Sequence, residues 1–270
     1  MKKLTAATLA LCIATLTGCS SSDDEEELVL PEIVNQFETD VVWQESIGDG
    51  VQHYFSRLTP AIHNDVVYVA NREGEVEALS LENGDTLWQT DVRENPAFWP
   101  WETTESAKLS GGILQAYGKI FVGSEHGYLT ALDRETGEIV WRKTMPGEVL
   151  AKPAAGDGLI FVNLGSGKLL AVHPDTGEER WRFEQEVPPL TLRGQSSPTV
   201  ANGGVLLGLE TGKLSVLISE NGYSAWSAEI ASPKGASEFE RLVDVDTQAL
   251  ISGPYAYAIA YNGNLAAVDI

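Results

Sequence analysis

Gly127-Tyr-Leu-Thr-Ala-Leu-Asp-Arg-Glu-Thr-Gly-Glu-Ile-Val-Trp141 is one of several closely similar phrases in this chain. The pattern is a glycine, an alternating apolar run, an acidic turn closed by a second glycine, and a tryptophan. It recurs from Gly74 through Gly84 to Trp88, from Gly167 through Gly177 to Trp181, and from Gly212 through Gly222 to Trp226. A fifth copy opens at Gly263 and runs to Val268 without a following tryptophan. The leading glycines lie 53, 40, 45 and 51 residues apart. Self-similarity at that period matches one four-stranded propeller blade and is too long for an ankyrin-type repeat.

Each unit contains an apolar run rich in β-branched and aromatic residues, such as Val66–Val69, Ile120–Val122 or Leu159–Val162, which reads as a buried inner strand. A glycine-containing turn and a second strand of period 2 follow, with Leu129 and Ala131, or Leu169 and Ala171, on one face. The acidic turn then leads into the tryptophan strand. No unit has a helical period, so the expected fold is all-β. A tryptophan at one fixed place in every unit has two readings, a lock between blades or a ligand-stacking platform. Four copies favour the lock.

The chain has 270 residues, with 39 Asp and Glu against 18 Lys and Arg, and a net charge of −21. Such acidity disfavours nucleic acid as a partner, and also unaided adhesion to anionic lipid. Lys2 and Lys3 precede an apolar stretch from Leu4 to Thr17, too short to span a bilayer, that ends in Leu16-Thr17-Gly18-Cys19. This reads as a lipoprotein signal peptide over 1–18, with Cys19 as the lipid-attachment residue. Its removal also removes Cys12, so no disulfide is expected. Residues 19–36, including Ser20-Ser-Ser-Asp-Asp-Glu-Glu-Glu27, read as a flexible acidic linker, and 37–270 as the propeller.

Val41-Val-Trp43 resembles a tryptophan strand lacking the strands that should precede it. It is expected to close the ring, because pairing the first strand with the last blade removes an exposed edge. The expected inventory is therefore an N-terminal closing strand, four full blades and a partial fifth. A five-bladed ring closed by Trp43 is one reading. A C-terminally truncated chain is the favoured one, because Ala266-Ala-Val-Asp-Ile270 stops where the other units continue.

The segments outside the repeat carry a resemblance. Leu190-Thr-Leu-Arg-Gly194, Glu240-Arg-Leu-Val-Asp-Val-Asp-Thr247, Ala260-Tyr-Asn-Gly-Asn264, Val34-Asn-Gln-Phe37 and the lipid-attachment motif resemble the BamB family across essentially the whole chain. The resemblance implies an eight-bladed propeller without catalytic activity. It further implies a lipid-anchored scaffold on the periplasmic face of the outer membrane, within the β-barrel assembly (BAM) complex. Its partners there would be the POTRA domains of BamA and the other subunits. Carried over residue by residue, the partner-binding positions fall on Leu190, Leu192, Arg193, Asp244 and Asp246. Residues 185–197 and 231–246 link successive blades and should emerge as neighbours on one face. Arg193 is then expected to pair with Asp244 and Asp246 near Arg241, holding the two leucines outward. In the plainer reading, the leucines tuck inward and the charges are solvated.

Pro96-Ala-Phe-Trp-Pro-Trp101 is either a contact for a partner or a cover for a blade edge, and covering is favoured. The repeat also resembles that of pyrroloquinoline quinone dehydrogenases. Those enzymes need a cofactor-stacking site and a calcium-bound acidic constellation. Here His53, His63, His126 and His173 stand singly, so no enzyme, cofactor or metal site is expected. The remaining rival is a structural or adhesion lipoprotein.

Overall fold

The computed structural model describes residues 36–94 and 105–270. The chain divides into two compact units, Met1–Val41 and Val42–Ile270. All described strands lie in the second.

The first sheet is β1 (Ala61–His63), β2 (Val66–Ala70), β3 (Glu75–Ser80) and β4 (Thr86–Asp91). The second is β5 (Leu114–Ala116), β6 (Lys119–Gly123), β7 (Tyr128–Asp133) and β8 (Ile139–Thr144). The third is β9 (Ala154–Gly156), β10 (Leu159–Leu164), β11 (Lys168–Val172) and β12 (Glu179–Glu184). The fourth is β13 (Thr199–Ala201), β14 (Gly204–Gly208), β15 (Lys213–Ile218) and β16 (Ser224–Glu229). The fifth holds three strands, β17 (Leu250–Ser252), β18 (Tyr255–Ile259) and β19 (Leu265–Asp269). Every sheet is antiparallel with its strands in chain order, the up-and-down blade of a propeller.

The apolar runs are buried inner strands of their sheets, as expected, but not the innermost ones. They are β2, β6 and β10, and a three-residue strand precedes each in its sheet. The short strands β1, β5, β9 and β13 lie against one another in succession, which puts them on the inner side. Two-residue turns join them to the apolar strands. Tyr117-Gly118, Asp157-Gly158 and Asn202-Gly203 all have positive φ at both positions, the type I′ geometry whose twist suits a tight hairpin.

The period-2 pattern also acquires a different meaning. Leu129, Thr130, Ala131 and Leu132 are all buried, so neither face of β7 meets water. One face, with Phe121, Leu129 and Ala131, packs on Ile160, Val162 and Leu170 of the third blade. The other, with Ile120, Val122 and Leu132, packs on Val76, Ala78 and Tyr68 of the first. The core is therefore a series of layers between blades, and the alternation sorts residues between two neighbours.

The tryptophans tie these layers at their outer edge. The indole N–H of Trp43 donates to Leu81 O at 2.9 Å, Trp88 to Arg134 O at 3.0 Å, Trp141 to Pro174 O at 2.9 Å, and Trp181 to Ser219 O at 2.8 Å. Each acceptor belongs to the acidic turn of the following blade. The glycine of that turn lies under the same indole, as Gly84, Gly137, Gly177 and Gly222 do. Within its own blade the ring packs on an aromatic of the apolar strand. Centroids are 6.1 Å apart for Tyr68 and Trp88, 5.8 Å for Phe121 and Trp141, and 5.7 Å for Phe161 and Trp181. Trp43 makes the first of these locks, although residues 42–46 pair with no strand among those described.

Gly137 and Gly118 separate the two roles of glycine here. Both are left-handed, with φ of 74° and 71°. A Cβ on Gly137 would come within 2.5 Å of Trp88, whereas one on Gly118 meets nothing within 4 Å. Gly118→Ala should cost only the left-handed penalty of about 1–2 kcal/mol. Gly137→Ala should add an overpacking cost of about 1–3 kcal/mol, read as the difference between the two variants in urea unfolding. Equal losses would show that the indole contact is slack.

Candidate partner-binding face

The loop after β12 (185–197) and the loop after β16 (231–246) leave corresponding strands of adjacent blades, and they meet. Leu192 N donates to Asp244 Oδ1 at 3.1 Å. Asp244 is itself fixed in the fold, with its carbonyl accepting from Tyr261 N at 2.8 Å. Its side chain is buried, and this desolvation raises the carboxyl pKa against the opposing pull of backbone N–H groups, Leu192 first among them.

A residue that the sequence reading missed holds both loops. Arg57, just before the first blade, donates through Nη1 to Gln195 O at 3.0 Å and to Asp246 O at 2.8 Å. One guanidinium thus joins the entrance of the first blade to the third–fourth and fourth–fifth connections. Gly194 lies beside this junction, where a Cβ would make only ordinary contact, 3.4 Å from Asp246 Oδ2 and 3.6 Å from Arg57 Nη2. The Asp246 carboxyl is half-buried and its pKa is pushed up to about 6. Burial is the largest cause and the charge of Asp244 adds to it, while Arg57 pulls the other way.

Arg193 does not pair with these aspartates. Its Nη2 lies 3.0 Å from Glu125 Oε2 and 3.6 Å from Glu148 Oε1, both belonging to the second blade and the connection after it. Glu125 also receives the buried Arg72, at 2.5 and 3.1 Å, and Arg72 stacks over Tyr54 at 4.0 Å. The hydrogen bond from Arg72 is the main reason that the Glu125 carboxyl stays ionised below its usual range. Arg193 remains more than half exposed while so held. Arg241 is exposed and forms no ion pair among the described residues.

Leu190 and Leu192 are half-buried, between the two arrangements that the sequence allowed. The structure thus brings Leu190, Leu192, Arg193, Asp244 and Asp246 into one neighbourhood, with Arg57 beneath and the Arg72–Glu125 pair beside it. Cys19 and the segment with Phe98, Trp99 and Trp101 lie outside the described residues. Among the described residues, no group of three or more His, Cys, Asp or Glu side chains is placed to hold a metal ion.

These features define a class, a non-helical repeat domain of propeller blades whose interblade loops form a fixed polar face. The profile described as "Outer membrane protein assembly factor BamB" matches residues 31–97 and 100–270. A protein of that name from Alteromonas naphthalenivorans is 50% identical over 97% of this chain and 66% of its own length. The one from Escherichia coli K12 is 41% identical over 96% of this chain and 67% of its own. The crystal structure of BamB from Moraxella catarrhalis superposes with a TM-score of 0.70 at 25% identity, covering 78% of this chain and 60% of that one. A quinohemoprotein alcohol dehydrogenase from Pseudomonas putida shares the fold, with a TM-score of 0.61 at 15% identity. The chain belongs to the BamB family. It spans about two thirds of the length of the curated relatives it matches.

Asp246 makes the face sensitive to pH. Its folded pKa lies above the usual 3.8, so its contribution to stability is full below about pH 4 and is lost as pH rises through about 6. Asp246→Asn should remove that loss and be more stable than the wild type at pH 7.5, by about 1 kcal/mol after allowance for solvent screening. Urea unfolding at pH 4 and 7.5 reads this directly. Parallel pH profiles for the two proteins would place the strain elsewhere.

Proposed function

We propose that the chain is a non-catalytic scaffold of the outer-membrane β-barrel assembly machinery, and that it binds the periplasmic POTRA domains of BamA through the face formed by residues 190–193 and 244–246. The observation that carries this reading is the convergence of two interblade loops, held by Leu192–Asp244 and by Arg57, in a chain of the BamB family. Scaffolding needs a rigid surface, and here the loop after β12 runs between blades locked by Trp181, while the loop after β16 packs through Val243 and Val245 on the core shared by the fourth and fifth sheets. Leu190 and Leu192 supply half-buried apolar contact, and Arg193 supplies an exposed charge held in place by two glutamates. Apolar anchors with a polar surround are the usual composition of a binding hot spot.

In this proposal Cys19 carries the lipid that anchors the protein to the outer membrane on its periplasmic face, with residues 19–36 as the tether. Confinement to that surface raises the effective concentration of the scaffold near the machinery. The propeller then positions a POTRA domain for incoming barrel precursors.

The test is co-purification from detergent-solubilised outer membranes, with wild type, Arg193→Lys and Arg193→Glu compared after limited proteolysis shows equal folding. Reversing an interfacial charge juxtaposes like charges, so BamA recovery with Arg193→Glu should fall at least tenfold, while Arg193→Lys keeps part of it. Equal recovery with all three would remove Arg193 from the interface. Recovery with none would remove the scaffold function.

A further inference from the structure

Between the two loops lies a cavity of about 280 Å³. Pro188, Pro189, Leu190 and Leu242 give it apolar walls. Glu210 and Asp244 line it as buried carboxylates, 5% and 1% exposed, and the exposed Glu186 and Glu238 complete an acidic lining around a single cation, Arg241. Neither buried carboxylate has an ion-pair partner among the described residues. Glu210 accepts from the neutral Gln185 Nε2, at 2.5 Å, and from its own backbone N–H, and the Oε1 of the Gln185 amide is buried with no hydrogen-bond partner. Burial raises the pKa of both carboxyls, the behaviour of acids desolvated without a compensating cation.

Three features fix the chemistry of what fits. Four carboxylates facing one guanidinium call for positive charge. Apolar walls call for an aliphatic stem, as in long cationic side chains that bury their methylenes and keep the head on polar groups. The volume lies just below the roughly 300–1,000 Å³ of sites for whole small molecules, which suits one side chain.

We propose that this groove receives a Lys or Arg side chain of the partner protein, its stem against Pro188, Pro189 and Leu190 and its cationic head against Glu210 and Asp244. The assignment rests on the scaffold reading for the identity of the partner, and on the groove alone for its chemistry. It extends the interface beyond residues 190–193 and 244–246, and it makes Glu210 a specificity-determining residue.

The probe is n-hexylammonium on the full chain in detergent, with hexanol, hexanoate and ammonium chloride at matched concentration and ionic strength. The readout is hydrogen exchange in peptides covering 186–190 and 238–244. Hexylammonium alone should slow exchange there saturably. Glu210→Gln should weaken that effect at least tenfold, and the exposed variant Glu238→Gln, which leaves the buried network intact, about two- to threefold. No protection beyond that of ammonium chloride, or equal protection by hexanol, overturns the proposal. If the groove fails this test while BamA still co-purifies, only the groove assignment falls. If hexylammonium binds while BamA is not recovered, the groove chemistry stands and the scaffold reading falls.

Discussion

A tryptophan of one blade seated on a glycine of the next is the contact on which the rest of this structure depends. The indole N–H reaches the carbonyl of the acidic turn, and the ring lies over the one residue type that leaves room for it. Glycine is required twice at that position, because the turn needs a left-handed φ and the indole occupies the place of a side chain. The lock repeats between every consecutive pair of the first four blades, and Trp43 makes it against the first. Since the apolar core consists of layers between blades, a sheet without its neighbours would have no core of its own.

The proposed binding face is a consequence of that arrangement. Loops that leave corresponding strands of locked blades must emerge side by side, and arginines then stitch them together. Arg57, Arg72 and Arg193 are three of only 18 basic residues in an acidic chain, and all three serve connections between different blades. The carboxylates divide accordingly. Glu125, held by Arg72, has its pKa lowered, whereas the buried Glu210 and Asp244 and the half-buried Asp246 have too little positive charge nearby and have theirs raised. The face therefore contains a satisfied half around Arg193 and an unsatisfied half around Glu210.

Much of this was legible in the sequence, because the repeat writes the same physics several times. The blades, the turn glycines and the structural role of the tryptophans follow from spacing alone. The three-residue inner strands escaped because they are too short to show a pattern, although Asp157-Gly158 and Asn202-Gly203 are strong hairpin signals that point to them. The meeting of residues 185–197 with 231–246 followed from their equivalent places in successive units. The partners of Arg193 did not. In a chain with 39 acidic residues many pairings are open, and Glu125 and Glu148 win because the β6–β7 turn and the connection after β8 lie beside the loop after β12. Arg57 is the extreme case. Its contacts span 138 and 189 positions, and no local pattern marks it.

The central claim is that the outer tryptophan locks hold the interblade loops in register. Hydrogen exchange at the Leu192 amide, which donates to Asp244 across two blades, tests it most directly when Trp181 is replaced by alanine. The account predicts that Leu192 loses its protection together with the fourth blade, while the amides of β2 and β3 keep theirs. Unchanged protection at Leu192, in a variant that has lost the indole contact, would contradict it.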